Sequence, residues 1–130
     1  MTPKELKLLC HSAAAGEQAI AVLERVERQL VSLQQLRTEG VDPAWREARR
    51  MELYEQRLHA QKIVATSISH KSKLEAIIRS APDVQLSQIL EMRCKRQLSW
   101  QQIAWRLGGG NTADSVRKRT TRYLAGVRLE

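Results

Sequence analysis

Near the C-terminal end of the chain, four cations stand close together: Arg117, Lys118, Arg119 and Arg122. Asn111, Thr112, Asp114, Ser115 and Thr121 precede them or lie between them. Guanidinium and ammonium groups neutralise phosphates, and short polar side chains exchange hydrogen bonds with base edges in the major groove. Asp114 adds an acceptor that could take a cytosine amino group, although an acid in a first helical turn more often stabilises the helix itself. At helical spacing Val116 and Tyr123 turn inward, leaving Arg117, Lys118, Thr121 and Arg122 outward. The chemistry this predicts is recognition of double-stranded DNA by Asn111, Thr112, Asp114, Ser115, Arg117, Lys118, Thr121 and Arg122.

The distribution of charge points the same way. The chain carries a formal charge of +8 from 22 Lys and Arg against 14 Asp and Glu. Between Arg93 and Arg128 there are nine cations and one acid, Asp114, so this stretch alone accounts for the whole excess. The remaining 13 cations and 13 acids cancel. A merely solvated face does not require such segregation, whereas a polyanion-binding surface does.

Other chemistry finds little support. His11, His59 and His70 are scattered and lack metal-ligand spacing. Cys10 and Cys94 are far apart in sequence, belong to no Cys-x-x-Cys pair and read as reduced thiols rather than a disulfide. Gly108-Gly109-Gly110 is not followed by the Lys-Ser/Thr of a phosphate-binding loop and reads as a helix stop. We therefore expect no enzyme, no metal and no cofactor. No apolar run approaches the ~18 residues that cross a bilayer, so the expectation is a cytoplasmic protein with no membrane partner.

Capping signals place the elements that hold these residues. Ser99 followed by Gln102 is a capping box opening a helix whose inward side is Trp100, Ile103, Ala104 and Leu107. Ala104 is small, as a close helix crossing requires. Asn111 or Thr112 then caps the last helix, giving a helix-turn-helix with core residues Trp100, Ile103, Ala104, Leu107, Val116 and Tyr123. Trp105 falls off the buried stripe and would pack either on the helical arm or on a partner. A preceding helix is predicted from about Pro82 to Arg96, with Ser80 as N-cap, Asp83 in its first turn, and Leu86, Ile89 and Leu90 facing inward.

The first 80 residues read as two long helices. One runs from Lys4 to about Arg37, with Leu23, Val26, Leu30 and Leu33 as its stripe and Leu6, Leu9, Ala13 and Ile20 extending it weakly. Thr38-Glu39-Gly40-Val41 breaks the pattern, and Asp42-Pro43 restarts it as N-cap and first helical residue. The second helix carries Met51, Tyr54, Leu58, Ala65 and Ile68 at helical spacing, continued by Leu74 and Ile78. The fold class expected is all-α: a long antiparallel hairpin over 1–80, followed by a three-helix helix-turn-helix module over 81–130. The hairpin stripes would seal against each other or against a second copy of the chain, making a homodimer through these helices.

From Ile89-Leu90-Glu91-Met92-Arg93, through Ser99-Trp100-Gln101-Gln102-Ile103-Ala104-Trp105-Arg106-Leu107-Gly108, to Ser115-Val116-Arg117-Lys118-Arg119 and Tyr123-Leu124, the chain resembles region four of bacterial sigma factors. The plan of a helical N-terminal half followed by this module resembles the phage ArpU and RinA type of late-gene transcriptional activators. The resemblance implies promoter-proximal DNA binding by the last helix and contact with bacterial RNA polymerase. The alternative from another class is a DNA-packaging component such as a phage small terminase subunit, although those proteins usually carry the DNA module first.

Overall fold

The computed structural model describes residues 1–36 and 40–128. Its five helices are α1 (Pro3–Gln35), α2 (Pro43–Arg79), α3 (Val84–Cys94), α4 (Trp100–Leu107) and α5 (Ala113–Ala125), and no strand occurs among the described residues. The fold is all-α, with α1 and α2 packed against each other as a long hairpin and three short helices following. Thr38 and Glu39 of the predicted break lie outside the described residues. Asp42 caps α2 as expected, accepting from the Ala44 amide at 3.0 Å.

Packing divides the chain into two compact units, Met1–Ala14 with Ser69–Glu130 and Ala15–Ile68, whereas sequence reasoning drew a single line at residue 80. The first unit has a core built from both ends of the sequence. Leu6, Leu9 and Cys10 of α1 and Leu74, Ile77 and Ile78 of α2 bury against Leu86, Ile89, Leu90, Cys94, Ile103, Ala104, Val116 and Leu124. The three short helices therefore share one core with the terminal turns of the two long ones. Cys10 and Cys94 are buried free thiols in this core. A hydrogen bond to Cys10, with burial second, pushes the Cys94 thiol well above its ordinary range and keeps it protonated.

In the second unit Val26, Leu30 and Leu33 of α1 close over Leu53 of α2. Arg46 donates to the carbonyls of Leu33 and Gln34 at 3.1 and 3.3 Å, placing a cation on the last turn of α1 where the helix dipole favours one. The buried side of α2 here is Leu53, Ala60 and Ser67, a strict seven-residue repeat. Of the two occupants expected for the stripe Met51, Tyr54, Leu58, Ala65 and Ile68, the other helix of the hairpin is not the one seen: the stripe faces out, with Met51, Leu58 and Ile68 each more than half exposed. Ile20 of α1 is likewise exposed, and Ala19 takes the buried position.

The reason is fit. Gly16 and Ala19 are buried on α1, and the segments of α2 that meet such a surface must be small. Ser67, which meets Gly16, qualifies where its neighbour Ile68 does not. A Cβ added to Gly16 would overlap the Ser67 hydroxyl outright, with the Ser67 Cβ only 2.5 Å away. Gly16→Ala is therefore expected to destabilise the chain by about 1–3 kcal/mol, as overpacking does. Adding Ser67→Gly should recover part of that loss in denaturant titrations. Unchanged stability for Gly16→Ala alone would contradict the close approach.

Candidate nucleic-acid interface

The elements around the predicted site are fixed by three caps. Asp83, rather than Ser80, is the N-cap of α3, accepting from the Leu86 amide at 2.8 Å. Pro82 lies outside the helix, which starts at Val84. The Leu86 amide, with Arg119 adding to it, holds the Asp83 carboxyl below the usual carboxylate range. After α3 the backbone turns through Gln97, whose φ of 55° is left-handed, and enters the α4 capping box. Ser99 accepts from the Gln102 amide at 3.2 Å, and the Gln102 side chain accepts from the Ser99 amide at 2.9 Å.

Between α4 and α5 the turn runs through Gly108, Gly109 and Gly110 at φ 64°, 61° and 80°. Three successive left-handed residues are feasible only without Cβ atoms. Asn111 closes the turn, its side-chain amide donating to the Gly108 carbonyl at 2.7 Å. Thr112 is the N-cap of α5 and Ser115 completes a second capping box, the Ser115 amide donating to the Thr112 hydroxyl at 3.1 Å and the Thr112 amide to the Ser115 hydroxyl at 2.9 Å.

The helix-turn-helix core falls largely where predicted. Ile103, Ala104 and Val116 are buried, and Trp100, Leu107 and Tyr123 are half-buried. Arg93 stacks 4.4 Å above the Trp100 ring and donates to the Leu98 carbonyl at 3.0 Å, so this cation is occupied in binding the entry to α4. Tyr123 donates its hydroxyl to the Ile77 carbonyl at 2.7 Å, and burial pushes its pKa up. Thr120 and Leu124, both fully buried, complete the inward side of α5. Sequence reasoning passed over Thr120 because a threonine hides in a polar helix. Its hydroxyl is satisfied by the Val116 carbonyl at 3.0 Å, which is what lets it sit in the core.

With Val116, Thr120 and Leu124 inward, Asp114, Arg117, Lys118, Thr121 and Arg122 are all exposed along the opposite side of α5. Three of the cations in the predicted cluster thus share one face. The fourth does not. Arg119 is half-buried and reaches Asp83 and Gln85, tying α5 to the start of α3. Asp114 lies between Arg117 at 2.8 Å and Lys118 at 2.9 Å, and these two partners hold its carboxyl below the usual range. All three groups are exposed, so the pairs add little stability and leave both cations available to a phosphate. Arg106 of α4 is a further exposed cation beside the turn in sequence.

Trp105 is 83% exposed. Of the two roles expected for it, packing on the helical arm is not seen among the described residues. The charge segregation read from the sequence is kept when set on the packing units: the unit containing α3 to α5 holds 14 Lys and Arg against six Asp and Glu, and Ala15–Ile68 holds eight of each.

The fold and the site define an all-α protein with a capped helix-turn-helix and one basic, solvent-facing helix side. Comparison with protein-family models, with curated proteins and with solved structures gives no significant match.

Proposed function

We propose that this chain is a sequence-specific, double-stranded DNA-binding transcription regulator in which α5 is the recognition helix. The observation that carries the reading is the outward side of α5, where Arg117, Lys118 and Arg122 stand exposed with Asp114 and Thr121 on a helix anchored by its other side. The anchoring matters because a recognition helix must be held rigidly to read base edges, and α5 is fixed by a capping box, by Arg119 and by the Tyr123 hydroxyl. In this mode the first turn of α5, from Thr112 to Ser115, approaches the bases while the cations take phosphates on either side. The sequence resemblance extends the proposal to a cytoplasmic phage or prophage late-gene activator acting with bacterial RNA polymerase. An exposed Trp105 on α4 is available for such a protein partner.

Amide chemical-shift mapping of the full chain with duplex DNA at low salt tests the assignment of the surface. Perturbations are expected to concentrate between Asn111 and Arg122. Perturbations confined to Ala15–Ile68 would overturn it.

A further inference from the structure

We propose that the outer side of α2 pairs antiparallel with the same side of a second copy of this chain, forming a twofold homodimer through Met51, Tyr54, Leu58, Ala65 and Ile68. This surface lies wholly within the Ala15–Ile68 unit and is independent of the DNA-binding reading.

The residues follow a three-four repeat, with Gln61 supplying the one polar position between Leu58 and Ala65. A 3.5-residue period keeps one stripe facing a partner helix over its length, which is the pattern of a coiled-coil seam. The opposite side of α2 carries its own repeat, Leu53, Ala60 and Ser67, already buried. The helix thus has two seams, one filled within the chain and one empty. The empty one exposes Met51 at 57%, Tyr54 at 41%, Leu58 at 54% and Ile68 at 65% over 18 residues, about 27 Å of helix. Isolated exposed apolar side chains are ordinary on protein surfaces, but a continuous run in heptad register marks an interaction site.

Two features select a second copy as the occupant. Antiparallel pairing about a twofold axis near residues 59 and 60 sets Met51 against Ile68, Tyr54 against Ala65 and Leu58 against Gln61. The largest ring then meets the smallest side chain, as complementary packing requires. The flanking charges match as well. Glu55 and Lys62 border the stripe on the same edge and make no ion pair with any described residue. In the antiparallel arrangement each Glu55 meets Lys62 of the second copy, twice per dimer. Parallel pairing would instead bring Arg57 beside the second copy's Lys62. The unit's balance of eight cations and eight acids adds no net repulsion to self-association. Arg57 stacks 4.7 Å from the Tyr54 ring and reaches Glu27 at 3.5 Å, so the aromatic anchor is already positioned.

Sedimentation equilibrium of the full chain tests this. The expected mass is twice the 14.9 kDa of one chain. Leu58→Glu should give a monomer with unchanged helical circular dichroism, because its side chain is outside the chain's own core. Lys62→Glu alone should weaken the dimer at least about tenfold, and Glu55→Lys added to it should restore affinity. A monomer at every soluble concentration, a larger assembly, or tighter association of Lys62→Glu, which parallel pairing predicts, would each overturn the proposal.

Discussion

A fragment beginning at Ala81 is expected to lack a cooperative fold, although it contains all three short helices and both capping boxes. In the intact chain the core under α3, α4 and α5 is completed by Leu6, Leu9, Cys10, Leu74, Ile77 and Ile78. Burial of an aliphatic side chain stabilises by roughly 1.5–3 kcal/mol, so the five aliphatic residues in that set contribute on the order of 8–15 kcal/mol. That equals the entire stability of a typical small domain, about 5–15 kcal/mol. The cut also removes the Ile77 carbonyl that accepts from Tyr123 and exposes the underside of α3, where Leu86, Ile89 and Leu90 are nearly inaccessible. Thermal melts followed by near-ultraviolet circular dichroism should show no transition for the fragment and a cooperative one for the full chain. A fragment that melts cooperatively near the full-chain midpoint would contradict the shared core.

The second large effect concerns binding rather than stability. Lys118→Glu combined with Arg122→Glu reverses two cations on the outward side of α5 while leaving Val116, Thr120, Leu124 and the Arg119 contacts untouched. Each lost phosphate contact lowers the slope of log affinity against log salt by about 0.9, and each introduced acid adds repulsion from the phosphate backbone. The double variant should bind duplex DNA at least ~100-fold more weakly at low salt, with its melting midpoint nearly unchanged. Equal loss for a reversal on another exposed helix, such as Arg28→Glu with Arg25→Glu in the neutral unit, would show that overall charge rather than α5 sets affinity.

Local signals made most of the fold legible. The Ser99–Gln102 capping box, the Asp42-Pro43 restart and the glycine turn each name a helix boundary through interactions confined to a few residues, and each is found in place. The candidate site was legible for the same reason: α5 has a short apolar set that leaves three of its four cations outward. What sequence reasoning missed depends on distant partners. Met51, Tyr54, Leu58, Ala65 and Ile68 stand out in the sequence because they are the most apolar set on α2, and apolarity alone left open whether they meet the other helix or a second copy. The actual seam includes Ser67 because Gly16 on the other helix admits it. Ser67 in the hairpin core and Thr120 in α5 are both polar residues whose burial is unlocked by geometry that periodicity does not register. The role of Arg119 was hidden similarly, since its partners Asp83 and Gln85 lie more than 30 residues away.

Fluorescence anisotropy of the full chain with duplex DNA, including sequence from its own genomic neighbourhood, across a salt series measures whether the outward cations of α5 hold phosphates. Binding is expected to be tight at low salt and to weaken steeply, with a slope of about −3 per DNA-bound chain for three phosphate-facing cations, reduced by about two per chain in Lys118→Glu/Arg122→Glu. No binding to any duplex at low salt, or a slope unaltered by that variant, would contradict that expectation.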